Sequence, residues 1–329
     1  MEAIHKPVLL DSCISMLSPS FEKKLNPLMC DSTLGEGGHS YAFLSAFKNL
    51  TVIGIDADSK IQERAKLRLS EFENRIHFHN VWAKDFYKDY PQVYSKPDAI
   101  LFDLGISVYH YELSGRGFSF RYDEDLDMRL NPNLEKTASD IVNYESEEKL
   151  SNIIYNYGEE KLSRKISSAI VNARKFSKIT SSKQLADIIY ECVPEYYRPA
   201  HIHPSTRTFQ ALRIEVNGEL KNLLEMIHAS FNCLAVNGRL AVITFHSLED
   251  RIVKNYFRNL SKNCVCPKNF AKCLCGGTEC AILLTRKPII PTLEEVKNNS
   301  PSRSAKLRVV QKIKNASDLH CQNINMKAA

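Results

Sequence analysis

The first hundred residues alternate short apolar runs with longer amphipathic stretches. "LMCD" (28–31), the β-branched "TVIGIDAD" (51–58), "RIHFHNV" (75–81) and "DAILFDLG" (98–105) are each short enough to read as strands. Between the first two, "HSYAFLSAF" (39–47) keeps its apolar residues on one side, and "SKIQERAKLRLSEF" (59–72) is amphipathic at helical spacing. Strand and helix in alternation predict βαβ units and a parallel sheet. After Gly105 the rhythm breaks, and no strand of similar quality follows until "GRLAVITFHS" (238–247), a gap far longer than one crossover needs. Capped helices fill it: "SEEKLSNIIYNYG" from Ser146 to Gly158, "EEKLSRKISSAIVNARKF" (159–176) and "SSKQLADIIYECVP" ending at Pro194. The stretch 206–234 reads as helices leading back to the sheet, and 247–260 as a helix capped by Ser247. In the tail, "AILLTRKPI" (281–289) and "AKLRVVQKI" (305–313) alternate as an antiparallel pair at the sheet edge, with a short acidic helix at 292–299 between them. The expected fold is therefore α/β: a discontinuous Rossmann-like domain, 1–112 and 205–329, interrupted by an all-helical domain, 113–204.

Composition narrows the class. Of 329 residues, 43% are apolar and 25% charged, ordinary values for a globular chain, and no apolar run approaches the roughly 20 residues of a membrane span. The start, "MEAIHKPVLL", lacks the basic and long apolar regions of a secretory signal, so a cytoplasmic protein is expected, with its ten cysteines as thiols or metal ligands. A net charge of +6 leans toward a polyanionic partner.

"DSTLGEGGHS" (31–40) lies between the first strand and the first helix. A glycine-rich turn there lets backbone approach a ligand and aims helix N–H groups at it. Asp56 ends the second strand about twenty residues on, where a carboxylate can accept hydrogen bonds from ribose hydroxyls. A nucleoside ligand is implied. No lysine follows Gly38, which disfavours a P-loop, and Ser40 replaces the third glycine of a dinucleotide fingerprint, leaving a nicotinamide cofactor only in degenerate form. S-adenosylmethionine tolerates the looser pattern, and Asp31 could face its ammonium group. The plain alternative is a tight strand-to-helix turn.

The ordered strings "HKPVLLD", "DSTLGEGGHS", "GIDAD", "DLGIS", "RGFSF", "LDMR", "YGEE", "HPSTRTFQALRI", "NGRLAVITFHSLEDRIVK" and "SRSAKLR", spanning His5 to Arg308, resemble the bacterial small-subunit rRNA cytosine-N4 methyltransferases of the MraW type. The resemblance implies S-adenosylmethionine-dependent methyl transfer to the exocyclic N4 amine of a cytidine in the decoding region of 16S rRNA. The small ribosomal subunit would be the partner, no membrane is involved, and a homodimer is a candidate assembly. Carried over position by position, Gly37, Gly38 and His39 match the cofactor loop, Asp56 the ribose acid and Asp103 the aspartate ending the fourth strand. Trp82 in "NVWAKD" stands where an aromatic is usual and could stack on adenine. His110 in "DLGISVYH" stands where the pattern has a glutamine at the cofactor. For His39 the alternative is a helix-start cap, and for Asp103 a strand-end turn former.

Methylation of a cytosine amine needs an oxygen-bearing side chain beside the methyl donor, because the amine lone pair is delocalised into the ring. Asp103 and Ser107 are the candidates for orienting the amine, with His246 at the end of the fifth strand as a third. No metal is required. A base inside folded RNA must be extruded first, and "RGFSF" (Arg116, Phe118, Phe120) and "HPSTRTFQ" (Arg207, Phe209) offer cations for phosphate and faces for stacking. Core packing is the alternative for the phenylalanines, ion pairing for the arginines, and a structural role for His246. Glu249 and Asp250, in the first turn of a helix, read as structural. Lys161, Arg164, Lys165, Arg174 and Lys175 form either an RNA-facing or a solvated face. Cys264, Cys266, Cys273 and Cys275 are either a C-x-C zinc set or thiols of a surface loop. A nicotinamide oxidoreductase and a non-catalytic RNA-binding factor are the competing functions; the former leaves the helical insertion unexplained, the latter the intact glycine loop and acids.

Overall fold

The apolar runs become one seven-stranded sheet. In the computed structural model, which describes residues 7–198, 203–266 and 277–315, helix α1 (Leu10–Leu17) precedes β1 (Leu28–Asp31), α2 (Gly38–Ala46), β2 (Thr51–Ile55), α3 (Ser59–Arg68), β3 (Ile76–His79), α4 (Ala83–Lys88) and β4 (Ala99–Asp103). The expected helix through Phe72 is shorter: α3 ends at Arg68, and the chain tightens into a 3₁₀ turn, Ser70–Arg75, that buries Phe72 beneath the Arg75 guanidinium.

From 106 to 219 the chain forms a separate helical unit with its own core. It comprises α5 (Val108–Glu112), α6 (Ala138–Tyr144), α7 (Glu147–Gly158), α8 (Ser163–Arg174), α9 (Ser182–Cys192) and α10 (Thr206–Asn217). Thr137, Ser146 and Ser181 accept hydrogen bonds from first-turn N–H groups of α6, α7 and α9, as capping residues should. Leu150, Ile154, Ile166, Ile170, Leu185, Ile189 and Leu212 are fully buried together. The expected boundaries at 112/113 and 204/205 move to 105/106 and 219/220. Helix α10 accounts for much of the shift, because Phe209, Ala211 and Leu212 belong to the helical core rather than the sheet.

The sheet unit resumes with α11 (Glu219–Cys233), β5 (Arg239–Thr244), α12 (Ser247–Leu260), β6 (Ala281–Leu283), α13 (Leu293–Asn298) and β7 (Lys306–Lys312). Strand order is β3-β2-β1-β4-β5-β7-β6; β1 to β5 are parallel, while β7 runs antiparallel to both β5 and β6. The order 3-2-1-4-5 is that of a doubly wound Rossmann-like sheet, reversing between β1 and β4. Side chains alternate between its faces. Cys30, Ile53, Ile55, Ile100, Phe102, Leu240 and Val242 pack with α4, α11 and α12, and Met29, Val52, Leu101, Ala241 and Ile243 pack with α1, α2 and Leu69. The predicted edge pair forms, but β6 stops after three residues and Pro288, which has no N–H to give, leaves Ile289 only an isolated bridge to Leu307. Buried Lys312 donates to the carbonyls of Phe231, Asn232 and Leu234, closing the C-terminal end of α11 with a cation. Among the described residues no helix is long and apolar enough to cross a membrane.

Candidate active site

A parallel sheet presents ligand sites at the carboxyl ends of its strands, beside the switch point. Here Asp31 ends β1, Asp56 follows β2 and Asp103 ends β4. The loop after β1 binds these acids together. Gly37 has φ +74°, and a Cβ there would lie 2.8 Å from Leu69 Cδ1, so neither backbone nor space suits a larger residue. Gly35 N donates to Asp56 Oδ2 at 2.8 Å, and Asp58 N donates to Oδ1 at 2.9 Å. Ser40 Oγ donates to Asp31 Oδ2 at 2.7 Å, while Thr33 Oγ1 accepts Asp103 N at 2.6 Å. Thr33 and Ser40 escaped the sequence reading; two hydroxyls inside a glycine loop are their only signal.

These carboxyls share a low-dielectric edge. Burial raises Asp103 to about 8, and the charges of Asp31 and Glu249 add to the effect. Burial also raises Asp31 to about 6, against the pull of the Ser40 hydroxyl. Asp103 Oδ1 is buried and accepts no hydrogen bond among the described residues. Its Oδ2 lies 3.8 Å from Nδ1 of buried His39, whose Nε2 donates to Val8 O at 3.0 Å. Such a cluster is costly when empty of positive charge and becomes favourable around a cation.

The other expected residues divide. Gly38 opens α2, and a Cβ there would lie 2.7 Å from Pro7 Cγ. Trp82, half-buried, is the N-cap of α4 just beyond β3, on the same sheet edge. His246, rather than Ser247, caps α12: its Nδ1 accepts Glu249 N at 3.4 Å, and Nε2 lies 3.1 Å from Glu249 Oε1. Glu249 Oε2 returns to Phe245 N at 2.8 Å, and Asp250 grips Arg308 at 2.6 and 3.2 Å, structural roles for both acids.

In the helical unit, Ser107 Oγ caps α5 by accepting Tyr109 N at 3.2 Å. His110, expected at the cofactor, is buried within this unit, edge-on to Phe118 with ring centroids 5.4 Å apart. Phe118 and Phe209, expected as base platforms, are each 4% exposed in the helical core, where no face is open for stacking. Arg116 donates to the carbonyls of Arg129 and Leu130 at 2.8 and 3.0 Å. Arg174 likewise donates to Val142 O, whereas Arg207 stays half-exposed. Cys264 is exposed and Cys266 half-buried; Cys273 and Cys275 lie outside the described residues, and with them the proposed four-thiol set.

Residues 2–313 match the family model described as the MraW methylase family. The chain is similar to proteins named "Ribosomal RNA small subunit methyltransferase H" in three bacteria. That of Treponema denticola is 54% identical over 313 residues, 95% of this chain and 98% of that one. The Sulfurihydrogenibium sp. protein is 48% identical over 284 residues, 86% and 92% of the two chains. The Borrelia turicatae protein is 45% identical over 310 residues, 94% and 98%.

Proposed function

The chain belongs to the MraW methylase family, and from that premise we propose that its sheet edge binds S-adenosylmethionine and methylates the exocyclic N4 of a cytidine in the decoding region of 16S rRNA. The observation that carries the proposal is Asp103: a half-buried carboxyl ending β4, with one buried oxygen unsatisfied among the described residues and a second acid, Asp31, close enough to raise its pKa. The donor set fits the cofactor. S-adenosylmethionine carries sulfonium and ammonium charges, ribose hydroxyls and an adenine. Asp31 and Asp103 would neutralise the charges, Asp56 would accept from the ribose, Gly37, Gly38 and His39 would line the loop, and Trp82 would cover the adenine. Bound there, the cofactor supplies an electrophilic methyl group.

The rest falls to this chain's own side chains. Beside a cation Asp103 loses its proton, and an ionised carboxylate accepts a hydrogen bond from an amine. That bond orients the amine and draws electron density back to its nitrogen, which the cytosine ring otherwise withdraws. His246, at the end of β5, is a second candidate for lining the target, held rigid by its cap. Because the target base must leave its stack to reach a buried donor, the rRNA is read as an unpaired or extruded nucleotide.

The test incubates the protein and methyl-labelled S-adenosylmethionine with small ribosomal subunits lacking the modification, then digests the RNA. Label in N4-methylcytidine is the expected result. Label in another nucleoside, or none despite demonstrated cofactor binding, overturns the assignment.

A further inference from the structure

Two strings noted in the sequence, "YGEE" and "HPSTRTFQ", have no part in the sheet-edge chemistry, yet the helical unit brings them together. The end of α7 crosses α10 so closely that a Cβ on Gly158 would lie 2.6 Å from Arg207 O. Beside this crossing is a cavity of about 280 Å³, its walls including Glu160, Lys161, Tyr197, His203, Pro204 and Arg207. That volume is near the lower end for small-molecule pockets, suited to one flat ring with its substituents rather than a large ligand.

The lining has two kinds of recognition chemistry. His203 lies nearly parallel to Phe120 (centroids 4.5 Å, 25°) and to Tyr190 (5.7 Å, 21°), and Arg198 sits 3.8 Å over Tyr190. This column fixes the imidazole as a rigid wall, and burial pushes its pKa down. Tyr197 is 39% exposed and its neighbour Tyr196 89%. Two cations stand at the rim. Lys161 is exposed, and Arg207 is held loosely, 3.4 Å from Glu159 O and 3.6 Å from Glu160 Oε2. Glu160 is itself anchored by Leu162 N at 2.8 Å. Residues 106–219 carry 15 lysines and arginines against 17 aspartates and glutamates, so the segment has no net positive charge to supply affinity. Ring stacking with two local phosphate contacts is what the lining offers.

We propose that this cavity is a nucleotide-binding subsite for single-stranded RNA: an unpaired base stacks on Tyr197 beside the edge of His203, and the flanking phosphates meet Lys161 and Arg207. The inference rests on the reading of rRNA as substrate, of which the subsite would take an unpaired nucleotide other than the reacting cytidine.

The test measures binding of a single-stranded rRNA oligonucleotide to the full chain, saturated with S-adenosylmethionine, across a salt series. A Lys161→Gln/Arg207→Gln double variant is expected to bind about tenfold more weakly, with the slope of log affinity against log salt flattened by about 1.4, since each phosphate contact to a single strand contributes about 0.7. Tyr197→Ala is expected to lose about tenfold and Tyr197→Phe to keep its affinity, because a phenyl face still stacks. Unchanged helical circular dichroism and cooperative melting in all three show that they fold. Unchanged RNA affinity and salt slope in the double variant overturn the subsite, even if the wild type methylates cytidine. Conversely, weakened RNA binding by the variants, with no N4-methylcytidine formed by the wild type, keeps the subsite and overturns the reaction.

Discussion

The two units dispose of their polar side chains in opposite ways. In the helical unit, away from the Lys161 and Arg207 rim, many are consumed by folding: Arg116 holds two carbonyls, Ser107 caps a helix, and Asn217 accepts Leu130 N while donating to Met128 O and Arg213 O. In the sheet unit, Asp31, Asp56 and Asp103 converge on one edge, two of them with strongly raised pKa values and one with an oxygen left unsatisfied among the described residues. A side chain that folding has already satisfied is a poor candidate for chemistry. One held in an environment that opposes its charge is a good one. The chain's net +6 follows the same division, since the helical segment is slightly acidic and the excess of cations lies in the sheet unit.

The largest contrast is expected from Asp103→Ala. Losing the carboxyl that orients the amine should lower methyl transfer at least about 100-fold, while thermal melting above pH 7 holds or improves, because an acid whose surroundings oppose its charge has been removed. Normal turnover by the folded variant would refute the role. Gly37→Ala comes next: a left-handed backbone and a Cβ 2.8 Å from Leu69 Cδ1 should cost about 2 kcal/mol and weaken the cofactor. Gly115, with φ +66° but open space, should lose about 1 kcal/mol on the same change and bind cofactor normally. Chemical denaturation with cofactor titration separates the pair, and equal losses would remove the packing argument. In the helical unit, Asn217→Ala leaves buried backbone groups unpaired and should cost about 1–3 kcal/mol; kcat per folded molecule should not change, and a kcat defect would give this unit a catalytic part. The stability of the free protein also depends on pH. Asp31 and Asp103 have folded pKa values above the unfolded carboxyl value, so the folded state holds more protons between about pH 4 and 8, and the free protein loses stability as pH rises through that window. Denaturant midpoints across the window check the sign, with Asp103→Asn flattening the upper part.

Periodicity carried most of the fold. β1, β2, β4 and β5 and the long helices α7 and α9 stand where alternation and capping serines put them, α8 forms uncapped from Ser163 to Arg174 within its expected stretch, and the acids at the strand ends follow once strand order is known. Helices α1, α4, α5 and α6 left too few periodic positions to be read. What the sequence could not show is which partner each polar group meets. Arg116 finds carbonyls 13 and 14 residues away, His246 replaces Ser247 as cap, and α10 joins the helical core because Phe209 and Leu212 pack there. Tertiary contacts settle these outcomes, and local pattern is silent about them.

The central claim is that the acids of the sheet edge are held partly protonated until a cation joins them. Calorimetry of S-adenosylmethionine binding at pH 7, in buffers of different ionisation enthalpy, counts protons directly. Release of up to about one proton, falling to near zero in Asp103→Asn, is the predicted result. Binding with no proton release by the wild type would contradict it.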